Sequence, residues 1–147
     1  MDIAERPLPV SLHPDDRSPM WCDGVALWLV NLRAWPSAHV QNCLSEQERD
    51  RSRRFRFEDD RRRYVAAHVA LRDRLASHLG CQPSDLMFHV GPHGKPRLAG
   101  AFSALHFNLS HSADLALIAL SDDCEVGVDL EVLHSVQDAA DLAATVF

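Results

Sequence analysis

The chain has 147 residues, of which 46% are apolar and 24% charged, an ordinary globular balance that fits one domain and excludes disordered and collagen-like classes. No apolar run approaches the roughly 20 residues of a membrane span. The formal net charge is -6, yet residues 49–63 hold eight arginines against four acids, a basic cluster inside an acidic chain. Such a cluster points either to a local anionic partner or to a solvated helix face with internal ion pairs. The four cysteines, Cys22, Cys43, Cys81 and Cys124, are scattered without a C-x-x-C pair, which argues against zinc or a disulfide framework and for a reduced cytoplasmic protein.

Residues 1–20 carry Asp2, Glu5, Asp15, Asp16 and four prolines, unlike a secretory signal, and are expected to form a flexible leader. The apolar run Val25 to Val30 predicts a strand. Ser45-Glu46-Gln47-Glu48 is a capping box, so a basic helix is expected from Ser45 toward Phe55. A second helix is predicted from about Asp59 to Leu79. Its apolar stripe is Tyr64, Ala67, Leu71, Leu75 and Leu79, and Gly80 stands at its end. His68 and His78 lie on or near that stripe and are read as packing residues. Leu86 to Val90 predicts a strand, and Gly91 to Pro96 a turn. Leu105-His106-Phe107 predicts a short strand leading into Asn108 to Ser112. The apolar run Leu115 to Leu120 suits a strand buried on both faces. Val126 to Glu131 is expected to be the next strand, making residues 114–131 a hairpin. Another helix is expected from Ser135 to Phe147.

Three stretches could carry chemistry. In Gly127-Val128-Asp129-Leu130-Glu131, strand alternation turns Asp129 and Glu131 to one side, about 6.6 Å apart, with Gly127 leaving room beside them. Such a pair suits Mg²⁺, which takes one or two carboxylates plus phosphate oxygens and water, but it equally describes a solvent-facing strand edge. Phe107 to Ser112 gathers an amide, two hydroxyls and an imidazole, a set able to bind phosphate or simply to form a polar turn. Ser110 and His111 are adjacent on an extended chain and so point apart, which disfavours a nucleophile pair. Lys95, the one lysine of the chain, stands in Gly94-Lys95-Pro96-Arg97, where a turn would display it as a point charge for phosphate.

In this order and spacing, the arginine-rich helices, Gly94-Lys95-Pro96, Phe107 to Ser112 and Gly127 to Glu131 resemble the 4'-phosphopantetheinyl transferases of the larger, surfactin-synthetase-activating type. The resemblance spans roughly residues 25–147. It implies an α+β pseudo-dimer of two similar halves, with helices packed on a small, mainly antiparallel sheet. Residues 21–121 would be the N-terminal half and 122–147 the start of the C-terminal half. It implies transfer of 4'-phosphopantetheine from coenzyme A to a serine of an acyl or peptidyl carrier protein. By the same resemblance Asp129 and Glu131 bind Mg²⁺, Asn108, Ser110 and His111 belong to the coenzyme A site, and Lys95 and Pro96 line its adenine and phosphate end. Arg51 is the favoured contact for the 3'-phosphate, with Arg54 and Arg63 as further positions. Lys95, His111 and the metal would offset charge on the phosphate oxygens.

The family pattern continues with [FW]-x-x-K-E-[AS]-x-x-K, whose glutamate completes the metal site and serves as the base. No stretch here matches it. The chain is therefore expected to hold the first half and only the opening of the second, to be impaired or inactive alone, and to self-associate through its uncovered half-interface. A non-catalytic fragment binding coenzyme A or a carrier protein is the alternative. A Mg²⁺-dependent phosphate-ester hydrolase using Asp129, Glu131 and His111 ranks below it. Nucleic-acid binding is not expected, because the chain is acidic and only Phe55 and Phe57 interleave the arginines. No membrane partner is expected.

Overall fold

In the computed structural model, residues 17–35 and 41–133 are described. The elements follow the chain as β1 (Met20–Cys22), β2 (Val25–Asn31), α1 (Glu46–Arg53), α2 (Glu58–Leu79), β3 (Phe88–Val90), β4 (Pro96–Leu98), β5 (His106–Ser112) and β6 (Leu115–Ser121). Short 3-10 turns occur at Gln41–Cys43, Pro83–Asp85 and Gly100–Phe102. Most of the expected leader and the whole expected helix from Ser135 lie outside the described residues.

The helices start and stop where their end residues dictate. The Ser45 side chain accepts from the Glu48 N–H while the Glu48 carboxylate accepts from the Ser45 N–H, so the capping box closes α1 at its N-terminus. α2 runs into Gly80, whose φ of 69° is the left-handed geometry that ends a helix at little cost for glycine. Glu58, Asp59 and Asp60 occupy its first turn, where the macrodipole favours negative charge.

Strand order is β1-β2-β6-β5, with every neighbour antiparallel; β3 and β4 form a separate hairpin. One face of the four-stranded sheet carries Ala26, Trp28, Val30, Phe107, Ala116, Ile118 and Leu120, and α2 packs on it through Ala66, Ala67, Ala70, Leu71 and Leu75. Leu71 and Leu75 are buried, and each contributes about 1.5–3 kcal/mol of apolar burial. A second, smaller cluster covers the opposite face, where Leu27 and Ala119 meet Val126, with Val128 packed against them. β6 is therefore covered on both sides, as its unbroken apolar run requires.

One expectation is corrected. Val126 to Glu131 is extended but is not a strand of the sheet, and residues 114–131 do not form a hairpin. β6 already has β2 on one edge and β5 on the other, so no edge of it is left for a further strand. The segment after β6 instead crosses back over the sheet, apolar side down, and finds its hydrogen-bond partners among side chains.

Candidate active site

β5 is the foundation of the site. Its register against β6 pairs Phe107 with Leu120, Leu109 with Ile118 and His111 with Ala116, so these odd-numbered side chains share the face on which α2 lies. Asn108, Ser110 and Ser112 project from the other face. There they receive the crossing segment in a regular series. The Val128 N–H donates to Asn108 Oδ1 at 2.8 Å, the Leu130 N–H to Ser110 Oγ at 3.0 Å, and the Val132 N–H to Ser112 Oγ at 3.2 Å. Period two on the strand meets period two on the segment. Val126 is buried, Val128 and Leu130 are half-buried, and Asp129 and Glu131 are exposed, which is the alternation the sequence implied. The Ser110 hydroxyl also donates to Asp129 Oδ1 at 3.3 Å.

The start of the segment is held from the β3–β4 hairpin. Lys95 Nζ donates to the Val126 carbonyl, and Arg97 pairs with Glu125. The Gly91 to Lys95 turn is closed by the Gly91 N–H donating to the Lys95 carbonyl at 2.8 Å. Gly94, with φ of 77°, takes a conformation that a side chain would strain. Beside this turn lies a hollow of about 240 Å³ bordered by His89, Lys95, Pro96, Arg97, His106 and Glu125. A Cβ at Gly127 would meet nothing within 4 Å, so the backbone next to the carboxylates is open to approach.

The arginine cluster divides in two. On α2, Arg61, Arg62 and Arg63 pair with Glu58, Asp59 and Asp60 one turn back. Arg62 and Arg63 also converge with Arg33 on Asp114, at 2.7, 3.1 and 2.6 Å. These three guanidiniums, Arg62 first and then Arg33, hold the Asp114 carboxyl well below the usual carboxylate range. For α2 the internal ion-pair reading is thus the one seen. Arg51 and Arg54 on and after α1 are exposed, with no ion-pair partner among the described residues.

His111 is separated from Ser110 by strand alternation and faces the α2 side. Its side chain is exposed, yet desolvation by its surroundings lowers its pKa from the ordinary value, and His68 and Arg63 add repulsion of the imidazolium. The shift favours the neutral imidazole, which can accept or donate a hydrogen bond.

The crossing segment thus ties Asp129 and Glu131 to Asn108 and Ser110 of β5, and Lys95 holds its start at Val126. Pro96 borders the hollow beside the Gly91 to Lys95 turn, His111 lies on the other face of β5, and Arg51 stands apart on α1. Sequence reasoning counted Ser112 among the hydroxyls of the Phe107 to Ser112 cluster without giving it a role of its own, and it did not single out Asp114. The spacing of Asn108, Ser110 and Ser112, all polar at every second position, was the available signal for the first. Nothing local marks Asp114 as the meeting point of three distant arginines.

Asp129 and Glu131 meet no cationic side chain among the described residues, and no group of three or more His, Cys, Asp or Glu converges there. Two carboxylates beside open backbone fit Mg²⁺, provided the rest of its shell comes from phosphate oxygens and water. An α+β unit that displays paired carboxylates on a segment whose start is held by Lys95 offers groups that a cation and a phosphate-bearing ligand could use. Residues 28–123 match the family described as "4'-phosphopantetheinyl transferase, N-terminal", and the chain belongs to that family.

Relatives extend the match. The chain is 39% identical over 130 residues to the 4'-phosphopantetheinyl transferase HetI of Nostoc sp., covering 85% of this chain and 54% of that protein. It is 34% identical over 115 residues to a phosphopantetheinyl transferase of Thraustochytrium sp., covering 72% and 39%. The chain therefore spans about half, or less, of the length of these relatives. Among solved structures, a holo-(acyl-carrier-protein) synthase from Bacillus anthracis in complex with CoA (3',5'-ADP) matches at a TM-score of 0.49 and 18% identity, covering 66% of this chain and 92% of that one.

Proposed function

We propose that this chain supplies the first half of an enzyme that transfers 4'-phosphopantetheine from coenzyme A to a serine of an acyl or peptidyl carrier protein, in the cytoplasm and with Mg²⁺. The observation that carries this reading is the Asp129–Glu131 pair, exposed on a segment whose start at Val126 is held by Lys95, in a chain that belongs to the transferase family. The serine oxygen would form a bond to the phosphorus bearing the pantetheine arm. The bond from that phosphorus to adenosine 3',5'-bisphosphate would break, and the serine proton would pass to a base.

Asp129 and Glu131 would hold the metal, which when bound supplies charge neutralisation at the pyrophosphate oxygens. Lys95 gives one N–H to the Val126 carbonyl, and its ammonium has three, leaving two for a phosphate. Pro96 and the hollow beside it would seat the adenine end, and exposed Arg51 the 3'-phosphate. Ser110 would orient Asp129 through its hydroxyl, and Asn108 would stand with it at the coenzyme A site. His111 would serve as a hydrogen-bond donor to the phosphate oxygens or as a proton acceptor.

The alternative, a fragment that binds coenzyme A or a carrier protein without turnover, draws support from the two-carboxylate count among the described residues. Intact mass of an apo carrier protein after incubation with the chain, coenzyme A and Mg²⁺ separates the two. A gain of one phosphopantetheine, lost in Asp129→Ala, is the outcome for catalysis. Retained coenzyme A binding with no mass gain is the outcome for the fragment, and loss of both would remove the reading.

A further inference from the structure

The carboxylate pair rides on a segment that contributes no strand to the sheet. Backbone groups buried without partners are costly, so each inward-facing N–H of such a segment must find an acceptor. Here all three acceptors are side chains of one strand, Asn108, Ser110 and Ser112, and each meets the N–H at a residue directly before or after Asp129 or Glu131. The Val128 and Leu130 N–H groups bracket Asp129, and those of Leu130 and Val132 bracket Glu131. Loss of the Asn108 or Ser112 acceptor would leave one carboxylate held on one side only, and loss of Ser110 would leave both so.

We propose that Asn108 and Ser112 are positioning residues: by gripping the backbone on the outer sides of Asp129 and Glu131 they set the separation and direction of the two carboxylates for a divalent cation. The inference rests on the cation reading given above and assigns the Asn108 carbonyl oxygen and the Ser112 hydroxyl a task on the protein's own backbone. Ser110 serves both carboxylates at once, through the Leu130 N–H and through Asp129 Oδ1. Asn108 acts only through its carbonyl oxygen, so aspartate, which keeps an acceptor in the same place, should substitute for it. Threonine should likewise replace Ser112.

The experiment uses the intact chain with Mn²⁺ alone as probe, followed by electron paramagnetic resonance, alongside residue-resolved amide exchange. Asn108→Ala should speed exchange at Val128, and Ser112→Ala at Val132, by about fivefold or more, the size expected for one lost hydrogen bond. Exchange at Ala119 in the sheet centre should stay unchanged, which verifies the fold. Each alanine variant should raise the Mn²⁺ concentration at half-saturation about fivefold, with Asn108→Asp and Ser112→Thr restoring it. If Asp129→Ala weakens Mn²⁺ binding while Asn108→Ala and Ser112→Ala do not, the positioning role is overturned and the cation reading stands. If Asp129→Ala leaves Mn²⁺ binding unchanged, the cation reading falls and the positioning role with it. Unchanged exchange at Val128 and Val132 in the alanine variants would overturn the grip itself.

Discussion

Glu48 is bound from three directions. Its carboxylate accepts from the Ser45 N–H at 2.7 Å and from two nitrogens of Arg72 at 2.9 and 2.8 Å, while His68 Nδ1 lies 3.4 Å away. Arg72 is 1% exposed and also donates to the carbonyls of Pro83 and Leu86, so one guanidinium joins α1, α2 and the turn that follows. Burial alone would raise the Glu48 pKa, but the hydrogen bonds from His68, Arg72 and Ser45 outweigh it and hold the group at about 2. A carboxylate lowered on folding gives stability that is fully present above its unfolded value of 4.5 and is lost as pH falls toward 2. Denaturant melts should therefore show a loss on the order of 2–3 kcal/mol across that window, absent in Glu48→Gln. Glu48→Ala should cost about 3 kcal/mol at neutral pH, because it strands the buried Arg72 charge.

His111 shifts stability in the same direction, in a higher pH window. A base whose pKa is lowered on folding binds fewer protons folded than unfolded, so stability is present above its ordinary value of 6.5 and falls on acidification through it. Comparing wild type with His111→Gln between pH 7.5 and 5.5 should show the wild type losing more stability; equal losses would contradict the assigned environment.

At the scale of elements, turns reveal what sequence patterns can and cannot convey. Asp23 and Gly24, both with positive φ, at 49° and 81°, join β1 to β2 in the two-residue geometry that Asp-Gly favours. That dipeptide was a readable hairpin signal, yet Met20–Cys22 is too short to announce itself as a strand. The β5–β6 turn places Ala113 at φ of 50°, a strained position for a residue with a Cβ. Ala113→Gly should raise stability by about 0.5–1 kcal/mol in urea melts, relief of strain exceeding the added freedom of the unfolded chain.

Both helices, the Gly80 stop, β2 and β6 were legible because capping, apolar period and unbroken apolar runs are local properties. The carboxylate pair was legible for the same reason, since period two fixes which side chains share a side. The sheet membership of residues 126–131 was not. Val126 to Glu131 has the pattern of a strand and the extended form of one, but whether an extended segment pairs along an edge or crosses a face depends on which edges β6 has left. That information lies in β2, almost a hundred residues earlier. The Asp114 junction was hidden likewise, since Arg33, Arg62 and Arg63 meet only after the sheet has formed.

For the molecule as a whole, the described sheet ends in β1 on one side and β5 on the other. Exposed Trp21, Met87 and Val90 add apolar surface, and open strand edges invite pairing with another chain. The chain is expected to self-associate: its sedimentation coefficient should rise with concentration in the micromolar range, and a constant monomer value would contradict this. A sheet edge or apolar face used between copies would make the assembly sensitive to substitution of Trp21 or Val90 by a charged residue.

The lacing of residues 128, 130 and 132 to β5 also imposes a rule on which changes the chain can absorb. Proline has no N–H to give, so at any of these three positions it would unfasten a stitch, whereas at Gly127 the lost N–H has no partner on β5. Tolerance of proline along this stretch should therefore alternate with residue number. The odd positions, freed from holding the backbone, are the ones at which side chains can be chosen for chemistry alone, and Asp129 and Glu131 occupy two of them.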